Sequence, residues 1–87
     1  MPTATLLNNV SSHTSGTGSS MTGPCTVDIE GTFQGLVELY SSLDDVTYTL
    51  AYVTNDAKSL AVDRKGSYYL KADYTHGSGA VTVKATN

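Results

Sequence analysis

Residues 25–30 read Cys25-Thr26-Val27-Asp28-Ile29-Glu30, and apolar and polar side chains alternate along them without a break. Successive side chains of an extended chain point to opposite faces. The alternation therefore describes a strand with Cys25, Val27 and Ile29 on a buried face and Thr26, Asp28 and Glu30 on a wet one. The same period of two returns downstream. Val37 and Leu39 alternate with Glu38 and Tyr40; Leu70, Ala72 and Tyr74 share one face of Ser67–Tyr74; Val81, Val83 and Ala85 share one face of Ala80–Thr86.

Turn signals separate these runs. Gly31–Gly35 bends the chain, with Phe33 pointing to the core, and Thr54-Asn55-Asp56, Arg64-Lys65-Gly66 and Thr75–Gly79 are clusters of turn formers. Between them lie a strand at Thr47–Val53 and a short one at Ser59–Asp63. Reversals roughly every 8–12 residues with no helical period are the pattern of an all-β, antiparallel sandwich. Many Thr, Val and Tyr residues agree with it. The expectation is an Ig-like or jelly-roll-like body of about seven strands. Residues 11–23 differ: eleven of them are Ser, Thr or Gly. Such a stretch buries too little apolar surface to offset its ordering entropy. With Thr3–Leu7 before it, it reads as an extended N-terminal arm over 1–23. The arm docks a small apolar patch on a body at 24–87, its own or a neighbour's.

The chain has 87 residues and a net charge of −3. An acidic balance gives no basic footprint for nucleic acid. No apolar run is long enough to span a membrane. Residues 1–23 lack the basic start and apolar middle of a secretion signal, so the expectation is a protein used without secretion. Asn9-Val10-Ser11 then matches a glycosylation sequon only by chance. Cys25 is the single cysteine and reads as a small buried apolar residue. A core this small gives modest stability, and self-association is one way to add burial.

Ser42-Leu43-Asp44-Asp45-Val46-Thr47-Tyr48 places two carboxylates between two strands. Asp at the start of a turn accepts bonds from backbone amides just ahead of it, so Ser42, Asp44, Asp45 and Tyr48 read as a hairpin turn. Tyr48 would pack its ring at the hairpin base and leave its hydroxyl wet. Calcium needs six to eight oxygens, more than Asp44 and Asp45 supply, and no metal or other cofactor is expected. The stretch resembles the Asp-box hairpin, S-x-D-x-G-x-T-W, with Ser42, Asp44, Thr47 and Tyr48 in related places. That box stabilises a fold, which again implies a turn. No catalytic set emerges: His13 and His76 lack partners at useful spacing, and no serine sits in a Gly-x-Ser-x-Gly elbow. The six tyrosines exceed what one small core buries. Because Tyr68 and Tyr69 are adjacent, they face opposite ways. Exposed tyrosines suit protein interfaces or sugar platforms.

Taken together, Thr5-Leu6-Leu7-Asn8-Asn9-Val10, the Ser/Thr/Gly arm, Gly23-Pro24, the Ser42–Tyr48 hairpin, Tyr69-Leu70-Lys71-Ala72 and Gly77-Ser78-Gly79-Ala80-Val81-Thr82-Val83 resemble small virion structural proteins of tailed bacteriophages. The departure is at the hairpin, where Asp45-Val46 replaces a Gly-containing turn and Tyr48 replaces Trp. The resemblance implies a β-sandwich capsid decoration, or cement, protein. It would be a homo-oligomer, with a trimer favoured, that binds the major capsid protein in the virion after assembly in the host cytoplasm. Thr3, Thr5, Leu6, Leu7 and Asn8 of the arm, with Tyr40 and Tyr68, are the expected partner contacts. A neck, tail or fibre component, or a carbohydrate-binding attachment module whose platform is exposed tyrosines beside Asp44 and Asp45, are the alternatives.

Overall fold

The computed structural model describes residues 3–87; the side chains at 76 and 77 lie outside that description, and with them any ligand role for His76. Among the described residues nine strands and no helix are present: β1 (Thr3–Val10), β2 (Thr14–Ser15), β3 (Ser19–Thr22), β4 (Cys25–Glu30), β5 (Phe33–Ser42), β6 (Thr49–Thr54), β7 (Lys58–Val62), β8 (Ser67–Gly79) and β9 (Val81–Thr86). They form two antiparallel sheets. One has the order β1-β9-β4-β7; the other has the order β2-β8-β5-β6, with β3 on the same side of β8 as β2. The fold is the expected all-β sandwich, with more strands than the expected seven or so. Strand β8 runs on through Thr75–Gly79, where a turn was expected, and Gly35 lies inside β5 at a shift of register rather than in a bend.

The core lies between the sheets. Sheet one contributes Leu6, Leu7, Cys25, Val27, Ile29, Val81, Val83 and Ala85; sheet two contributes Met21, Val37, Leu39, Tyr68, Leu70, Ala72 and Tyr74. These are the alternating apolar positions of each strand, so the period of two became a two-layer core. Two tyrosines are fully buried, and each satisfies its hydroxyl on backbone. Tyr68 donates to the Gly23 carbonyl at 2.6 Å and also lies 3.2 Å from Cys25 Sγ. The Tyr74 hydroxyl faces the Ser78 and Gln34 carbonyls at 2.9 and 3.1 Å, and Phe33 packs edge-on against its ring with centroids 5.8 Å apart. Cys25 is buried, as expected.

The expected boundary at residue 23 does not divide the structure. Strand β1 pairs with β9 from Thr3↔Thr86 to Val10↔Val81, so the body that the N-terminal segment docks on is its own. Leu6 and Leu7 are 5% and 3% exposed. Neighbours in a regular strand cannot both face inward; the shift of register between Thr5 and Leu7 turns Leu6 in as well. The Ser/Thr/Gly stretch is ordered mainly by backbone pairing. Thr14 and Ser15 pair with Tyr74 and Asp73, and Ser19–Thr22 pairs with Leu70–Ser67. Gly16 joins the two short strands: its amide donates to the Ala72 carbonyl at 3.0 Å, and a Cβ there would stand 2.2 Å from that oxygen. The radius of gyration is 11.9 Å, against about 12 Å for a compact domain of this length, which leaves no protruding arm among the described residues.

At one end of the sandwich the β4–β5 and β8–β9 crossovers pack backbone on backbone. Gly31 has φ +124°, and a Cβ on it would lie 2.2 Å from the Ala80 carbonyl oxygen. A side chain is excluded there by both conformation and space.

Candidate functional site

The β5–β6 connection is built around one carboxylate. Asp44 Oδ1 accepts from the amides of Val46 and Thr47 at 3.0 and 2.9 Å, and from the Ser42 hydroxyl at 2.9 Å. Ser42 Oγ in turn accepts from the amides of Asp44 and Asp45 at 3.2 and 3.0 Å. Asp45 takes a left-handed backbone, φ +61°, which Asp tolerates better than most residues. The amides of Thr47 and Val46 and the Ser42 hydroxyl hold the Asp44 carboxyl below its ordinary value, because each favours the charged form. The turn expected at Ser42, Asp44, Asp45 and Tyr48 is therefore present, and Asp44 is occupied in making it. Among the described residues no three or more His, Cys, Asp or Glu side chains group as metal ligands would.

Tyr48 closes the loop onto sheet two. Its hydroxyl, expected to be wet, donates to the Asp45 carboxylate. Partial burial, with the Asp45 charge behind it, pushes the Tyr48 phenol up to about 12. The Lys71 ammonium lies 5.0 Å from the Tyr48 ring centre and 5.3 Å from that of Tyr40, its partner on β5, so one cation sits against two aromatic rings. Glu38 and Asp73 face each other across the same two strands. Partial burial, followed by the charges of Glu38 and Asp73, raises the Tyr40 phenol. The outer face of sheet two thus carries Tyr40 and Tyr48 around Lys71, beside the two like charges of Glu38 and Asp73. The loop tip beyond it presents two aliphatic side chains to solvent, Leu43 at 71% and Val46 at 80% exposed.

The expected partner-contact residues do not form one surface. Leu6, Leu7 and Tyr68 are core residues and offer nothing to a partner; their apolar area is covered within this chain. Thr3, Thr5 and Asn8 are exposed on β1 of sheet one, with Thr3 Oγ1 3.3 Å from Thr86 Oγ1. Tyr40 is half-buried on sheet two, across the sandwich from them. Sequence reasoning passed over Leu43 and Val46. The signal was present: two aliphatics flank a carboxylate that fixes a short turn, and such a loop has no room to fold them inward.

No protein-family model matches the sequence, and no curated protein matches it significantly. Among solved structures, the crystal structure of SPBc2 prophage-derived protein YomS has a similar fold. The TM-score is 0.65 at 14% identity, covering 97% of this chain and 88% of that one. At that identity the likeness establishes a shared architecture over nearly the whole length of both chains.

Proposed function

We propose that the chain is a non-enzymatic structural protein of a bacteriophage, and that it decorates the capsid by binding the major capsid protein as a homo-oligomer. The observation that carries the reading is the fold similarity to a prophage-derived protein, which covers 97% of this chain and 88% of that one. Small sandwiches serve many functions, so the fold alone is an analogy. The loop tip adds a physical reason. Leu43 and Val46 are held outward on a turn already fixed by five hydrogen bonds involving Ser42 and Asp44. Docking such a tip in an apolar pocket orders little that is not ordered already, which favours binding. The contact thereby moves from the N-terminal segment to the β5–β6 loop. A decorating protein that binds only the assembled shell stabilises it by mass action.

Quantitative mass spectrometry of purified virions tests the reading. A copy number matching the major capsid protein supports decoration of the shell. A few copies to a few tens transfer the role to neck, tail or fibre, and absence from particles overturns both. The attachment-module alternative gains nothing here, since Lys71 already lies against the Tyr48 ring and Asp44 is committed to its turn.

A further inference from the structure

Among the described residues the two sheets end in four free edges, and three of them are poor templates for another strand. Strand β1 is broken by two shifts of register and by Asn9 at φ +52°. The β2/β3 edge is interrupted at residues 16–18. Strand β7 begins with Lys58 and is followed by Asp63, Arg64 and Lys65. Bulges, breaks and charges of this kind discourage edge-to-edge pairing. Strand β6, Thr49-Leu50-Ala51-Tyr52-Val53-Thr54, contains no charge and no proline, and it pairs only with β5. Its one irregularity is a shift of register at Ala51, between the Tyr52↔Leu39 and Leu50↔Tyr40 pairs.

The exposed apolar side chains follow the same edge. Val53 is opposite the outward-facing Glu38 and Leu50 opposite the outward-facing Tyr40, so both point out from sheet two. They are 41% and 48% exposed, and Leu36, one step along β5, is 40% exposed. We infer that the β6 edge pairs with β6 of a second copy of this chain, antiparallel about a two-fold axis, extending sheet two across both molecules. An uncharged strand is complementary to itself in this arrangement: no like charges within the strand are brought opposite each other, and Leu50 and Val53 become cross-strand neighbours of their counterparts. Two cations lie beside the strand and each is engaged within the chain: Lys58 donates to the Tyr52 hydroxyl at 3.1 Å, and Arg64 donates at 2.9 Å to Ser41, which is opposite Thr49. This inference does not depend on the proposed function, and a two-fold pair departs from the trimer implied by resemblance.

Sedimentation equilibrium of the full chain, from about 1 µM to about 500 µM, covers the affinities expected of a single strand-pair interface. The expected result is a reversible dimer in which Leu50→Lys and Val53→Lys each raise the dissociation constant at least tenfold. Both side chains are exposed, so the monomer's circular dichroism and urea midpoint should not move. Amide exchange on the unmodified chain gives a second reading: β6 amides should slow with rising concentration while those of β7 do not. A monomer at every concentration overturns the inference. So does a dimer whose affinity survives both lysines or whose β6 amides exchange independently of concentration.

Discussion

Replacing Leu7 by Ala tests whether the N-terminal segment is part of the folding unit. Leu7 is 3% exposed and its strand is paired with β9 at Val83, so the substitution leaves a cavity between the sheets. Core Leu→Ala changes cost about 2–5 kcal/mol. An edge strand can settle inward somewhat, which places the expectation near the lower middle of that range, about 3 kcal/mol. A domain of this length has about 4–13 kcal/mol of stability in total, so one methyl-bearing side chain on a supposed arm would carry a large share. The corresponding fall in Tm is about 12–24 °C. Urea unfolding followed by far-ultraviolet circular dichroism measures the change directly, with Thr5→Ala on the exposed face as a control expected within about 0.5 kcal/mol. Deleting residues 1–23 removes β1, β2, β3 and Met21 together, and the remainder should show no cooperative transition. If Leu7→Ala behaved like Thr5→Ala, and residues 24–87 unfolded cooperatively at an unchanged midpoint, the packing of β1 described above would be wrong.

Two further outcomes are expected. The Asp44 carboxyl is held below its ordinary value of 3.8 by the turn it caps. Its contribution is therefore complete above that pH and lost as pH falls through the lower, folded value. The Tm gap between wild type and Asp44→Ala should narrow between about pH 6 and about pH 2, and a constant gap would mean that the charge is irrelevant to the loop. At the crossover corner, Gly31→Ala must relieve both φ +124° and a 2.2 Å approach to the Ala80 oxygen, whereas Gly66, at φ +79°, has open space around its Cβ. Gly31→Ala should cost more than about 2 kcal/mol and Gly66→Ala only about 1 kcal/mol, measured by chemical denaturation; equal costs would refute the packed corner.

The strands that carry the core were legible because each side chain there answers to a local rule. A residue at an alternating apolar position has one favourable face, and Val27, Leu39, Ala72 and Val83 occupy the positions their spacing gives them. The Asp44 turn was legible for the same reason, since its donors lie within three residues of the carboxylate. Period two places Tyr68 on the same face as the buried Leu70, Ala72 and Tyr74; it was misread as a partner contact because six tyrosines exceed what a small core was expected to bury. What lets the hydroxyl of Tyr68 go inward is the Gly23 carbonyl, 45 residues away in sequence, which receives it.

The sequence by itself determined that this chain is an antiparallel β protein, which faces of β4, β5, β8 and β9 are buried, and that Ser42–Tyr48 is a turn. These follow from period, composition and short-range hydrogen bonds. Tertiary structure alone decided where residues 3–22 go. Their Ser, Thr and Gly side chains carry almost no apolar signal; what orders them is the unpaired backbone of β8 and β9, and an edge that lies more than forty residues ahead in the chain leaves no local trace. It also decided that the uncharged β6 lies at an edge, because an edge is a property of the assembled sheet and not of any strand within it.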